Sequence, residues 1–549
     1  MARHVLVEPD AREDAVQAGE LLTIIELDAG RHRTWRPALL DRSGDVAHGN
    51  DGTVRVVSTS PPRVTTATGD VQGATVAAPS GQAVHRFLGI PYAAPPVGDL
   101  RWRPPEPPAP WPDVRDATTF APAAPQRVGL ETALPSFAAA GGMSEDCLAL
   151  NVWTPALDGA RPVIVWLHGG AYMSGGTSQP VYDAARLAAE GDVVVVTVAY
   201  RLGALGFLAP DGDAAANCGL RDQLAALRWV REHADAFGGD PRRVTVMGES
   251  AGAGSILHLL ASPRRGNAFD RAVAQSGEPK TLDRDAGATV AAHLGRHVGL
   301  DSADASALRA VPVERLLDAQ AATMGDLVGK LGLMPFAPVL DGDVCDLPII
   351  DAVAAGRAAQ VGVVIGTTRD ELALFPDTRA ASLDDERLLR RITKLAPAID
   401  PHDVLATYRD RFGASATNER IWDAVRTDAM MRAPNLRVSS ALARTTDVFV
   451  YRFDWAAPDL GAAHAVDVPF TFGTFDREGW ADAIGYDDRA ERLGIAWRRA
   501  WTNFATTGDP GWSRARADGA PAPTLLFGPD GMEQVDDADD DVVRCWIGR

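Results

Sequence analysis

The chain has 549 residues, 46% hydrophobic and 23% charged, which is ample material for a large buried core and excludes a disordered or fibrous protein. Its 54 basic and 73 acidic side chains leave a formal net charge of -19, which opposes binding to nucleic acid or to an anionic membrane surface. The four cysteines, Cys147, Cys218, Cys345 and Cys545, are too few for a disulfide-built scaffold, and none are spaced as a metal-binding pair.

Met1 to Asp10 carries acidic residues and Pro9 where a secretory signal needs an unbroken apolar run, so the expectation is a cytoplasmic protein with reduced thiols. Residues 1–62 hold one apolar patch, Leu21 to Ile25, and then polar sequence ending in Ser60-Pro61-Pro62; they read as an N-terminal extension distinct from residues 63–549. Strand-like Val84 to Ile90 leads into Pro91 to Pro112, whose prolines allow only loop or extended chain. Pro162 to Leu167 is a continuous apolar run closed by His168-Gly169-Gly170, and Val193 to Tyr200 is a second, with room for a helix between them. Neither approaches the roughly 18 apolar residues of a membrane span.

Asn217 to Phe237 sets Leu220, Leu224, Leu227 and Val230 at helical spacing and closes at Gly238-Gly239. A third apolar run, Val244 to Met247, is followed by Gly248 and by helix-forming Ala253 to Ala261. Fully apolar strands alternating with helices predict an α/β fold, its mostly parallel central sheet flanked by helices on both faces. Runs at Val361 to Ile365 and Asp447 to Tyr451 extend that sheet, and helix-rich insertions over Ala286 to Ala322 and Leu383 to Val438 are positioned to cap it.

The pentapeptide Gly248-Glu249-Ser250-Ala251-Gly252 falls where the third strand meets its helix. A serine on such a sharp turn exposes its hydroxyl at a helix N-terminus, and the flanking glycines let neighbouring chain pass close by. Glycine is common here, 52 residues, so the pentapeptide acquires meaning only from the strand before it, the helix after it and partners downstream.

Several further strings recur in order: Phe87 to Ala93, Ser144 to Val152, Trp166 to Gly170, Tyr200 to Gly203, Phe237 to Pro241 and Gln275 to Gly277. On these, the chain from about Arg63 onward resembles the type-B carboxylesterase family, which includes the cholinesterases. The resemblance implies an α/β-hydrolase fold with helical capping insertions and a catalytic triad in the chain order serine, acid, histidine. Ser250 matches the nucleophile and His464, in the loop Gly461 to Phe470, matches the base, although the family usually has Gly where Ala465 stands. Glu371 matches the acid, and the adjacent Asp370 is chemically suited as well. Gly170, Ala171 and Ala251 match the oxyanion hole, while His168 reads as a positioning residue. Glu249 and Ser276 match positions that shape the site; simple packing is the other reading. Many family members pair the cysteine matching Cys147 with one shortly upstream, and Phe120 to Gln126 contains none.

The expected reaction is hydrolysis of a small-molecule carboxylic ester through an acyl-serine, which calls on no cofactor or metal. Amidase, thioesterase and lipase activities share this chemistry and stay open, as does a non-catalytic binding protein on the same scaffold, although such relatives typically lack a triad member. A cholinesterase-like preference is disfavoured, because Gln126 to Ser144 contains one aromatic residue, Phe137, and binding a quaternary ammonium needs several. His293 and His297 stand four apart on a helix-forming segment, with no H-E-x-x-H pattern and no third ligand nearby, and read as a solvated helix face.

Overall fold

The computed structural model describes residues 60–546 apart from 128–138, 213, 378–382, 414, 478–479, 518–521, 537 and 539–543, together with three short strands among the first 59 residues. It divides into two compact units, Met1–Pro62 and Arg63–Arg549. The first carries a small antiparallel sheet of Val5–Leu6, Leu22–Glu26 and Thr34–Ala38, with Leu22 to Ile25 of the apolar patch in its central strand.

The second unit is built on one eleven-stranded sheet: β1 (Ala74–Ala77), β2 (Ala83–Pro91), β3 (Ala149–Thr154), β4 (Arg161–Leu167), β5 (Val194–Val198), β6 (Gly239–Glu249), β7 (Arg271–Gln275), β8 (Gly362–Thr368), β9 (Val448–Phe453), β10 (Thr524–Gly528) and β11 (Gly531–Val535). In space the order is β11-β10-β9-β8-β7-β6-β4-β5-β3-β2-β1. Strands β4 to β10 run parallel, and β5 and β9 are buried along their whole length, as apolar runs covered on both faces must be. The margins are antiparallel, β3, β2 and β1 on one side and β11 on the other, so the sheet is mixed.

Helices α1 (Ala185–Gly191), α2 (Cys218–His233) and α3 (Ala251–Ala261) follow β4, β5 and β6. In α2 the predicted stripe Leu220, Leu224, Leu227 and Val230 is buried, whereas Arg228 lies on the solvent side. The first insertion supplies α4 (Arg284–His297) and α5 (Val313–Leu331), and Asp283 caps α4 by accepting from the Ala286 amide at 2.7 Å. The second supplies α6 (Asp385–Leu395), α7 (Pro401–Phe412), α8 (Asn418–Thr427) and α9 (Ala433–Leu442). A π turn, Asp428–Arg432, joins α8 to α9, and Leu388, Ile392, Val404, Tyr408, Ile421 and Val425 form this insertion's own small core. Among the described residues no helix is long and apolar enough to cross a membrane.

Candidate active site

Strand β6 ends at Glu249 and α3 begins at Ala251, leaving Ser250 alone in the turn at φ 56° and ψ −122°. That conformation strains any residue with a Cβ, and the surroundings hold it: the Ser250 amide donates to Gln275 O at 2.9 Å and the Gly254 amide to Ser250 O at 2.8 Å. The glycines are required by space. A Cβ on Gly252 would stand 2.0 Å from Leu167 O and one on Gly248 2.6 Å from the same atom, so the start of α3 is pressed against the end of β4. Ser250 therefore sits at a helix N-terminus whose first amides have no intrahelical acceptor, Ala251 leading them.

The glycine loop after β4 lies directly on this elbow, since a Cβ on Gly169 would come within 2.8 Å of Glu249 Oε2 and 3.0 Å of Ser250 Cβ. Gly170 has φ 115° and Ala171 φ 53°, in a tight turn closed by the Met173 and Ser174 amides, which both donate to Gly170 O at 2.9 Å. His168 anchors the loop from beneath: its ring stacks on Tyr200 at 4.5 Å, and the Tyr200 hydroxyl donates to His168 O at 2.6 Å. Burial pushes the His168 imidazole down to about 4, so it stays neutral and positions backbone.

Glu371 follows β8 and is fully buried. One carboxylate oxygen accepts from the Thr368 amide at 2.8 Å, and the other lies 2.6 Å from Nδ1 of His464, 93 residues further along the chain. Asp370 faces elsewhere, pairing with Arg369 at 2.9 Å and accepting from the Ala462 amide at 3.2 Å. Of the two adjacent acids, Glu371 touches the imidazole while Asp370 ties the two loops together. Backbone bonds from Asp370 N to Ala462 O (2.9 Å) and from His464 N to Glu371 O (3.2 Å) complete that join. The second insertion braces it as well: the Leu372 amide donates to Thr427 Oγ1 at 3.2 Å, just before the π turn, and Arg432 Nη2, at the end of that turn, donates to Arg369 O at 2.7 Å.

The other ring nitrogen, Nε2, lies 3.0 Å from Glu249 Oε1, next to Ser250 in sequence. No hydrogen bond joins His464 to Ser250 Oγ. Contacts of that kind commonly close only when substrate is bound. Asp467, which sequence reasoning missed, is the third buried carboxylate here and accepts from Gln275 Nε2 at 2.7 Å. An acid just before Val468-Pro469 reads locally as a helix cap, and that is also its place in the backbone.

One imidazole among three carboxylates has a predictable electrostatic outcome. Burial opposes charge on His464, but Glu249 and Glu371 outweigh it and raise the ring to about 9. Burial raises Glu249 to about 8, helped by Asp467 and Glu371 and resisted by His464. Asp467 rises to about 6, again through burial, against the Gln275 hydrogen bond. Glu249 and His464 thus compete for protons as a coupled pair. Ser276, at φ 54° on the end of β7, donates its amide to Gly366 O at 2.8 Å, and its buried hydroxyl has no hydrogen-bond partner among the described residues.

Cys147 is a buried free thiol, and its loop is braced by the bidentate Arg101–Glu145 pair at 2.6 and 2.5 Å. Phe137, from which the entrance was judged, lies outside the described residues.

The sequence pattern of the carboxylesterase family matches residues 60–521. The chain is 38% identical over 458 residues to the para-nitrobenzyl esterase of Bacillus subtilis, covering 81% of this chain and 90% of that one. It is also 38% identical over 477 residues to the phenmedipham hydrolase of Pseudarthrobacter oxydans, covering 82% and 93%. Among solved structures, a carboxylesterase of Geobacillus stearothermophilus superposes with a TM-score of 0.78 at 34% identity, over 88% of this chain and 99% of that one. Their α/β-hydrolase architecture is that of the sheet and helices described above, and the chain belongs to the carboxylesterase family.

Proposed function

We propose that residues 63–549 hydrolyse small-molecule carboxylic esters through an acyl-Ser250 intermediate. The observation that carries this reading is one imidazole, His464, bound to Glu371 at 2.6 Å on one side and 3.0 Å from the residue preceding Ser250 on the other. Neutral His464 takes the Ser250 proton as Oγ attacks the ester carbonyl; the alcohol leaves with that proton, and a water deprotonated by the same ring releases the acid. Glu371 keeps the proton on Nδ1, so that Nε2 is the basic nitrogen, and stabilises the imidazolium. The amides of Gly170, Ala171 and Ala251 receive the oxyanion, each such donor being worth on the order of 3 kcal/mol in the barrier. Glu249 and Ser276 act as neighbours that set the charge and shape of the pocket.

Relatives named as a para-nitrobenzyl esterase and a carboxylesterase support the substrate class, and the presence of all three triad residues argues against a binding-only role. Four free cysteines, three of them buried, favour a reducing cytoplasm. The test is a series of p-nitrophenyl esters of increasing acyl length, run on wild type and Ser250→Ala. The variant should lose roughly 10⁴-fold or more in kcat. Equal rates for the two proteins would sink the proposal.

A further inference from the structure

His293 and His297 lie one turn apart on α4 and project from the same face. The sequence offers no third ligand near them, but the fold does. Helix α5 packs along α4 and brings Asp326 opposite both rings: Asp326 Oδ2 is 3.2 Å from His293 Nδ1 and 2.9 Å from His297 Nε2. All three ligating atoms fall within 4.8 Å of one another.

Two ligand atoms each about 2.0–2.1 Å from a tetrahedral zinc ion stand about 3.3 Å apart. The separations of 3.2 and 2.9 Å are close to that edge and the third, between the two ring nitrogens, is no more than 4.8 Å, so an ion enters as these partly exposed side chains adjust around it. Two imidazoles and one carboxylate are the donor set of zinc and its chemical neighbours cobalt and nickel, whereas magnesium and calcium favour all-oxygen cages. The Asp326 side chain is 47% exposed and those of the histidines 20% and 34%, which leaves a path in from solvent and room for water as the remaining ligand. None of the three residues belongs to the group gathered around His464.

We propose that His293, His297 and Asp326 form a divalent transition-metal site of the zinc class that staples α4 to α5. Helix α5 is a productive place for such a staple, because Gln320 on it accepts from the Ala204 amide at 2.7 Å and Leu331 O at its end accepts from Lys280 Nζ. The ion fastens the two helices of the first insertion to each other and takes no part in ester chemistry.

The experiment titrates chelator-treated full-length protein with zinc chloride by calorimetry, and with cobalt chloride by visible absorption. Wild type should bind one equivalent of zinc and gain melting temperature on doing so. Asp326→Asn should weaken binding at least about tenfold, the loss that even outlying groups of a metal site produce. His293→Ala/His297→Ala should lose the equivalent and the melting shift while keeping wild-type ester hydrolysis and circular dichroism, which separates loss of a ligand from loss of fold. Equal zinc affinity in wild type and double variant, no bound equivalent in wild type, or equal stabilisation by magnesium chloride would each overturn the assignment.

Discussion

Replacing Glu249 by Gln keeps the shape of the elbow and removes the negative charge 3.0 Å from His464 Nε2. Carboxylate and imidazolium at 3.0 Å attract by about 1.4 kcal/mol even with the full screening of bulk water, equivalent to about one pH unit, and by about 5.5 kcal/mol at an effective dielectric of 20. Because Glu249 is itself held up to about 8 and is mostly protonated near neutrality, the observed effect should fall in the lower part of that range, at one to two units. The sign follows from which form works. The proposed mechanism needs neutral His464, the nearby carboxylates favour the charged ring and raise it to about 9, and removing one of them lowers the ring. The acid limb of kcat/KM against pH for a short p-nitrophenyl ester should therefore move to lower pH in Glu249→Gln by at least about one unit. A limb that stays in place, or moves to higher pH, would refute the coupling of Glu249 to the base.

Glu371→Gln should lower kcat by about 10⁴-fold, the cost of losing the acid that orients a triad histidine, whereas Asp370→Asn should leave kcat within tenfold and cost about 1 kcal/mol in chemical denaturation, since it weakens the tie to Ala462 and the part-exposed pair with Arg369. Gly170→Ala places a Cβ 2.0 Å from Ser174 O at φ 115°, so the loop proposed to receive the oxyanion must shift; kcat should fall 10²- to 10³-fold in steady-state assays. Ala465 stands at φ 66°, a conformation that costs a residue with a Cβ about 1–2 kcal/mol. Ala465→Gly relieves that strain and gives back about 0.4–1 kcal/mol in unfolded-chain entropy, so urea melts should show a net gain of roughly 0.5–1 kcal/mol.

Features carried by local pattern were legible from the residues alone. The buried runs of β4, β5 and β6, the stripe on α2 and the Ser250 elbow all declare themselves within a dozen residues, because burial and helical period are local properties. What escaped depends on partners distant in sequence. The antiparallel margin β3, read only as part of a family string, is as buried as the parallel strands, and nothing in its own residues announces its direction. Asp467 resembles an ordinary helix cap until Gln275, 192 residues away, is found against it. Asp326 is one acid among 73 until α5 docks on α4. In the sequence only the family resemblance favours Glu371 over Asp370, since the residues themselves suit either; the contacts that distinguish the two acids belong to two loops that only the folded chain brings together.

Fluorophosphonate trapping followed by peptide mass spectrometry reads the nucleophile without reference to any substrate. A single phosphonyl adduct on Ser250, absent from Ser250→Ala and slowed in Glu371→Gln, is the predicted result. An adduct on another residue, or unchanged labelling of Ser250→Ala, would contradict the assignment of Ser250 as the residue that forms the acyl-enzyme.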